Sequence, residues 1–266
     1  MADRIPRILH YCWFGPAQPS PLALRCMESW RVHCPDFEIR RWDETTFDVS
    51  AHPYTAAAHA AKKYAFVSDV VRAQALFEVG GIYLDTDVEL KDSLVPFLVH
   101  DAFSGFECIG RPFTALWGAA PGHSWPGAVV DNYRGRVWSA TEQANTTFVS
   151  DIVVSRFGID PDVDELQIGS DGVAIYPSTM FCLDLPRNVA SHHFEGSWTE
   201  GRSRPYKARV HVQHSANELA GEMTRVDVAY FVRRLVAERG LWAALQTVLL
   251  SGRVLVREAV RRLLRR

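Results

Sequence analysis

The chain has 266 residues, 47% hydrophobic and 23% charged, which is an ordinary balance for a globular protein with a sizeable core. Its net charge of −2 excludes a general attraction to nucleic acid. The five cysteines form no CxxC pair, which argues against a zinc site and predicts reduced thiols, as in a cytosol. The sequence shows neither a secretory signal pattern nor an apolar run of transmembrane length, so we expect a cytoplasmic protein.

The first sixty residues alternate between strand and helix patterns, which is typical of α/β architecture. Residues 5–14 and 37–42 predict strands, and residues 22–33 and 54–61 predict helices. Trp13 lies near the end of the first strand, where ligands collect in open α/β sheets. Its indole could stack on a nucleobase or fill the core, and both interpretations stay open at this point.

Residues 62–90 combine a helix, a helix stop, a short strand and two carboxylates. The helix predicted over 62–79 is apolar nearly all round, and Gly80 and Gly81 end it before a strand at 82–84. Asp69 and Arg72 are charges on this apolar helix. They form either a mutual ion pair on an exposed part of the helix or a site for sugar and phosphate oxygens.

The predicted strand is followed directly by Asp85, Thr86 and Asp87. Side chains two apart in extended backbone point to the same side, so Asp85 and Asp87 can converge. Mg²⁺ or Mn²⁺ would relieve their repulsion and keep positions open for diphosphate oxygens. An Asp-x-Asp triplet also occurs in turns and helix caps, so this hypothesis depends on its context.

Five ordered motifs supply that context: IPRILHYCWFG at 5–15, ESW at 28–30, PDFEIRRWDE at 35–44, AKKYAFVSDVVR at 61–72 and GGIYLDTDVEL at 80–90. Together they resemble the DXD-containing sugar transferases of glycosyltransferase family 32 and, more distantly, the catalytic domains of glucosylating toxins. The resemblance implies an α/β GT-A fold, which is a Rossmann-like nucleotide-sugar-binding fold. It also implies a nucleotide-sugar donor, a divalent cation and transfer with retention at the anomeric carbon.

The resemblance assigns roles to matching positions. Trp13 matches the tryptophan that stacks on the donor base, and Ser68, Asp69 and Arg72 match helix residues that hold ribose and donor sugar. Tyr83, Asp85 and Asp87 match a Tyr-x-Asp-x-Asp motif. In that motif the last aspartate is the direct metal ligand, and the first mainly positions ribose and sugar.

Beyond Asp87 the sequence resembles the family less closely. Strands are predicted at 102–107, 113–119 and 173–176, and residues 160–172 are predicted to form a loop. Members of the family often carry polar residues near 115–118, whereas this chain has Ala115, Leu116 and Trp117. The resemblance therefore does not identify the sugar that the protein would select. Asn145 matches the acceptor side only weakly, and a role for Thr146 or Thr147 as helix N-cap is preferred.

The segment SHHFEGSW at 191–198 resembles the C-terminal His-His-x-x-Gly-Ser-Trp of the same family. The resemblance implies that His193 is a metal ligand, that His192 is structural, and that Ser197 and Trp198 contact the phosphates. A neutral imidazole suits Mn²⁺, although two adjacent histidines are also common on surfaces.

The C-terminal residues are predicted to form basic amphipathic helices over 223–266, following a catalytic domain over 1–222. From residue 233 onward there are nine arginines and two glutamates, a net charge of about +7. Such helices can lie on an anionic membrane surface, here the inner face of the cytoplasmic membrane, or can dock on the catalytic domain.

The sequence therefore predicts a cytosolic, Mn²⁺- or Mg²⁺-dependent retaining hexosyltransferase. Its donor would be a UDP- or GDP-linked sugar and its acceptor a carbohydrate or a lipid-linked sugar, as in capsular or exopolysaccharide synthesis. Two alternatives stay open: a metal-dependent nucleotidyl or phosphoryl transferase, and a non-catalytic carbohydrate-binding protein.

Overall fold

The computed structural model describes residues 2–143, 145–185 and 188–195, with single residues at 233, 236, 237, 240–242, 245, 246 and 249. The chain forms two units, Met1–His214 and Ser215–Arg266. The domain boundary predicted between residues 222 and 223 lies outside the described residues.

The first unit alternates strands and helices as the sequence predicts. Its strands are β1 (Ile8–Cys12), β2 (Glu38–Trp42), β3 (Gly81–Leu84), β4 (Val88–Leu90), β5 (Ala102–Gly105), β6 (Leu116–Ala119), β7 (Gln167–Ile168), β8 (Val173–Tyr176) and β9 (Ala190–His192). Its helices are α1 (Pro21–His33), α2 (Pro53–Ala60), α3 (Tyr64–Glu78), α4 (Ser124–Tyr133), α5 (Thr146–Phe157) and α6 (Ser178–Phe181). Three short strands were not predicted: β4, β9, and β7 within the expected loop.

Seven strands form one mixed sheet in the order β2-β1-β3-β6-β5-β8-β7. β1 pairs in parallel with both β2 and β3, and β5 pairs in parallel with β8. β6 is antiparallel to its neighbours β3 and β5. The carboxyl ends of β1, β3 and β5 and the beginning of β6 therefore lie along the same edge of the sheet.

Both faces of this mixed sheet are covered by apolar side chains, as expected for a sheet packed between helices. In β8, Val173 and Ile175 belong to one buried cluster, whereas Ala174 belongs to a second. In β3, Tyr83 belongs to the first cluster, and Ile82 and Leu84 belong to the second. The alternation places one core on each face of the sheet, because successive strand side chains point to opposite sides.

The stop between α3 and β3 depends on two glycines. Gly80 and Gly81 have φ values of 70° and 115°, in the region that favours glycine. A Cβ on Gly81 would lie 2.7 Å from the carbonyl oxygen of Ile8 in the neighbouring strand. The glycines thus end the helix where predicted and let β3 pair closely with β1, which sets the position of Asp85 and Asp87.

The described residues of the second unit flank Gly240. Residues described on both sides of Gly240 are helical, and Gly240 itself has a φ of 81° and donates its N–H to the Val236 carbonyl oxygen at 2.9 Å. After this break, Leu241, Trp242, Leu245 and Leu249 are 61%, 80%, 45% and 66% exposed. Within the described parts of the chain, no helix is both long and apolar enough to cross a bilayer.

Candidate active site

A cavity of about 920 Å³ opens at the carboxyl ends of β1 and β3, the edge at which α/β sheets bind ligands. Its walls come from the strand ends, the first turns of α3 and the segment after β9. The polar and reactive residues that line it include Cys12, Trp13, Ser68, Asp69, Arg72, Tyr83, Asp85, Asp87, Glu107, Arg111, Asn145 and His192. The structure therefore brings together residues that are far apart in the sequence.

Arg72 connects the helix to the Asp-x-Asp strand. Its Nη2 lies 2.8 Å from Asp69 Oδ1 and 3.4 Å from Asp85 Oδ1. Its guanidinium carbon lies 4.7 Å from the centre of the Tyr83 ring, whose hydroxyl donates to Asp85 Oδ1 at 2.9 Å. The Asp85 carboxylate is thus held by a hydrogen bond from the Tyr83 phenol and by the nearby charge of Arg72.

Asp69 and Arg72 form the i, i+3 ion pair expected in one of the two interpretations, but the pair is not on an exposed part of the helix. Both side chains are 9% exposed and line the cavity. Burial raises the pKa of Asp69 to about 7, although Arg72 acts in the opposite direction. A buried charged pair that faces a cavity is suited to binding polar groups of a ligand.

A two-stranded sheet brings the C-terminal segment to the Asp-x-Asp motif. β4 follows Asp87 directly and pairs antiparallel with β9, with Val88 opposite His192. The carbonyl oxygen of Asp87 accepts from the N–H of His193 at 2.9 Å, and its Oδ2 accepts from the N–H of Glu195 at 2.8 Å. Asp87 is thus held by the backbone of the segment that begins at β9.

His192, rather than His193, joins the two aspartates. Ligand atoms of Asp85, Asp87 and His192 lie within 4.8 Å of one another, so these three side chains could hold a metal ion. His193, the ligand that the resemblance implies, lies apart from this group: it directly follows β9, and its Nε2 lies 2.7 Å from Glu89 Oε2.

Within this triad, Asp87 and His192 each shift the pKa of the other. Burial acts to raise the pKa of Asp87, but the His192 ring, 3.4 Å from its Oδ1, and the Glu195 N–H together hold that pKa at about 2. Burial acts to lower the pKa of His192, but the charge of Asp87, its hydrogen bond with the ring and the charges of Asp85 and Glu107 together raise that pKa above its ordinary value. Two carboxylates and one imidazole form a donor set that suits Mn²⁺, and oxygen ligands also suit Mg²⁺.

Trp13 and Ser68 also lie at the cavity. The Trp13 indole is half-buried, and its Nε1 donates to the Ala17 carbonyl oxygen at 2.7 Å, so the ring is fixed at the cavity and is not enclosed in the core. Ser68 Oγ donates to the Tyr64 carbonyl oxygen at 3.1 Å. The predicted phosphate contacts Ser197 and Trp198 lie outside the described residues.

Sequence reasoning missed two lining residues and undervalued a third. Glu107 and Arg111 were assigned no role, although Glu107 is a charged residue at the end of an apolar strand pattern, the same signal that identified Asp85. Asn145 is 5% exposed, precedes α5 without capping it, and its Nδ2 has no hydrogen-bond partner among the described residues. The helix begins at Thr146, so neither Thr146 nor Thr147 is its N-cap.

Comparisons with known proteins give a family match to part of the chain and similarities to solved structures. Residues 21–104 match the family described as the glycosyltransferase sugar-binding region containing DXD motif. Solved structures that match include the PaToxG glycosyltransferase, at 14% identity over 57% of this chain and 69% of that one, with a TM-score of 0.44. They also include the galactosyltransferase LgtC in complex with donor and acceptor sugar analogs, at 13% identity over 77% of this chain and 95% of that one, with a TM-score of 0.38. No curated protein sequence matches the chain.

The mixed sheet and the helices that cover it define an α/β protein, as the sequence predicts. The family match covers the segment that carries Asp85 and Asp87, and it supports a transferase with a DXD-containing sugar-binding region. The resemblance to the DXD sugar transferases is confirmed for that region.

The first prediction separates the two histidines. His192→Ala should weaken Mn²⁺ binding at least tenfold, because it removes one of the three converging ligand atoms. His193→Ala is the matched control, and should change Mn²⁺ binding less than threefold because its ring contacts Glu89. Titration of Mn²⁺ followed by electron paramagnetic resonance measures both constants. A larger loss in the His193 variant would contradict the assignment.

Proposed function

We propose that this glycosyltransferase uses Mn²⁺ or Mg²⁺ and moves a hexose, with retention, from a UDP- or GDP-linked donor to a carbohydrate or lipid-linked acceptor. The observation that carries the proposal is the convergence of Asp85, Asp87 and His192 in a cavity that also contains the buried Asp69–Arg72 pair. The resemblance of the chain to capsular polysaccharide transferases suggests capsule or exopolysaccharide synthesis as its setting.

Each residue would contact a different part of the donor, according to its position along the edge of the sheet. Trp13 follows β1 and offers an indole face to the base, and Ser68 and Asp69 offer oxygens to ribose and sugar hydroxyls. Arg72 donates to phosphate or sugar oxygens from a fixed position beside Asp85. Asp87 and His192, with Asp85, would hold the cation.

The chemistry is departure of a nucleoside diphosphate. A bound divalent cation supplies charge neutralisation to that leaving group. Arg72 adds a second positive charge that is already oriented, so little reorganisation is needed as negative charge develops. An acceptor hydroxyl attacking from the face that the diphosphate leaves would retain the configuration.

The cavity also contains groups that could be considered covalent nucleophiles. Burial raises the pKa of Cys12 to about 12, so its thiol stays protonated near neutral pH and is a poor nucleophile. The Asp69 carboxylate is engaged by Arg72 at 2.8 Å. These environments argue against Cys12 and Asp69 as covalent nucleophiles, which is compatible with a direct same-face transfer.

The second prediction tests the reaction and its metal. With Mn²⁺ present, one member of a panel of UDP- and GDP-sugars should release its nucleoside diphosphate, and EDTA should abolish the release. Asp87→Asn should reduce turnover more than tenfold, a barrier increase above ~1.4 kcal/mol, while thermal unfolding stays near that of the wild type. Asp131→Asn, a change of the same kind on the surface of α4, is the control.

Three outcomes would contradict the proposal. They are turnover of the Asp87 variant within tenfold of wild type, full activity in EDTA, and release of pyrophosphate or a nucleoside monophosphate in place of the diphosphate. The last outcome would restore the nucleotidyl transferase hypothesis.

We also propose that the second unit contacts an anionic membrane surface, where a lipid-linked acceptor would reside. Leu241, Trp242, Leu245 and Leu249 lie at helical spacing and are exposed, with Trp242 at 80%. The surrounding segment carries nine arginines and two glutamates from residue 233 onward. Exposed apolar side chains next to basic ones match the interface of an anionic bilayer, where each arginine contributes about 1 kcal/mol.

The third prediction is cosedimentation of the full-length protein with phosphatidylglycerol-containing vesicles but not with neutral ones, at ~0.1 M salt. Trp242→Asp should reduce the bound fraction severalfold, because it places a charge in the apolar stripe. Leu166→Asp changes an exposed leucine of the first unit (53% exposed) and should leave binding unaltered. Equal binding to both kinds of vesicle, or equal binding by both variants, would refute membrane contact.

A further inference from the structure

Glu44 is a carboxylate that joins three separate parts of the chain next to the cavity. Its Oε1 accepts a hydrogen bond from the Gly15 N–H at 2.7 Å and a second one from His59 Nε2 at 2.9 Å. Gly15 comes two residues after Trp13, Glu44 follows β2 by two residues, and His59 lies in the last turn of α2. Glu44 belongs neither to the metal triad nor to the proposed donor contacts.

The ladder between β1 and β2 ends at the residue that carries the indole. A bond from the Trp13 N–H to the Trp42 carbonyl oxygen, at 2.9 Å, closes it. After β2 the chain turns, and the Asp43 carbonyl oxygen accepts two N–H groups from within that turn. The Gly15 N–H is bonded instead by the Glu44 carboxylate, which takes the place of the next strand carbonyl.

The same cluster holds the backbone after Trp13 against an aromatic ring. Gly15 has a φ of 85°, and a Cβ at this position would collide with the Tyr64 ring. The His59 ring meets the Tyr64 ring edge-on, with 5.4 Å between the ring centres. Tyr64 lines the cavity together with Trp13. Glu44, Gly15, His59 and Tyr64 therefore form one packed cluster beside the indole.

The charge of the Glu44 carboxylate strengthens this cluster. Although burial acts to raise its pKa, the hydrogen bonds from His59 and from the Gly15 N–H hold that pKa below its ordinary value, so the group is ionised at neutral pH. A hydrogen bond to an ionised acceptor is roughly twice as strong as one between neutral groups. The indole has a second fixed point, because Trp13 Nε1 donates to the Ala17 carbonyl oxygen at 2.7 Å.

We propose that Glu44 is a positioning residue for the donor base: by fixing the backbone at Gly15, it holds the Trp13 indole in the orientation that stacks on the base. The inference rests on the proposed function, which places the base at Trp13. Among the described residues that line the cavity, Glu44 does not appear, so it acts through Trp13. An indole that is already oriented binds the base without the cost of ordering it.

The test compares Glu44→Ala with the wild type, using two probes in the presence of Mn²⁺. One is the nucleoside diphosphate of the active donor, and the other is inorganic pyrophosphate, which lacks the nucleoside. Calorimetry should show that the Kd of the nucleoside diphosphate rises at least tenfold and that the Kd of pyrophosphate stays within twofold. The KM of the sugar nucleotide should rise with the first Kd, whereas kcat should stay within threefold, because the lost interaction is uniform binding.

A double-mutant cycle separates positioning from a general structural effect. In the Trp13→Ala background, Glu44→Ala should change the Kd of the nucleoside diphosphate less than twofold, because no indole remains to be positioned. Glu44→Gln keeps a carbonyl acceptor for the Gly15 N–H and should retain most of the affinity. Glu38→Ala is the control: Glu38 is paired with Arg40 at 2.8 Å on β2, and its loss should leave both Kd values unaltered.

His59→Phe is the second variant, and it carries the test if thermal unfolding shows that Glu44→Ala does not fold. It removes the hydrogen bond from His59 to Glu44 and keeps an aromatic ring against Tyr64. The Kd of the nucleoside diphosphate should rise at least threefold in this variant, and the Kd of pyrophosphate should stay within twofold.

The inference is overturned if the folded variants bind the nucleoside diphosphate within twofold of wild type, or if pyrophosphate loses affinity to the same extent. It is also overturned if Glu44→Ala has the same effect with and without the indole. In each case the proposed function still stands, because the wild type binds and turns over its donor. A wild-type protein that binds neither probe and turns over no donor would overturn both proposals together.

Discussion

The active site depends on the burial of Arg72 beside two carboxylates and the Tyr83 ring. Helix α3 carries Arg72 into an apolar setting, and Asp69 and Asp85 compensate its charge at 2.8 and 3.4 Å. Removing Arg72 would leave the buried Asp69 carboxylate without its cation, which costs about 3–5 kcal/mol. The position of α3 is in turn set by the glycine stop that lets β3 pair closely with β1. The close pairing of β3 with β1 therefore determines both the packing of the core and the position of the site.

The site also depends on the two-stranded sheet formed by β4 and β9. It is only three residue pairs long, yet it brings His192 to the aspartates and directs two backbone N–H groups to Asp87. The segment after β9 therefore completes a site whose other residues come from the first half of the chain. Loss of this pairing would remove the imidazole and loosen Asp87 without disturbing the seven-stranded sheet.

The sequence predicts the parts of the site that depend on local patterns. The long apolar helix, the glycine stop and the aspartates at a strand end are properties of neighbouring residues, and the structure places them as expected. The choice between His192 and His193 depends on the register of two three-residue strands, about a hundred residues apart, which no local pattern determines. Glu107 was missed for a similar reason, because only the order of strands in the sheet brings it to the cavity.

The most direct test of the account is anomalous diffraction at the manganese edge from crystals grown with Mn²⁺ and the nucleoside diphosphate of the active donor. We predict a peak in the cavity beside Asp87 and His192, with the diphosphate next to it and the base on the side of Trp13. A peak beside Glu89 and His193, or a diphosphate bound outside this cavity, would contradict the account.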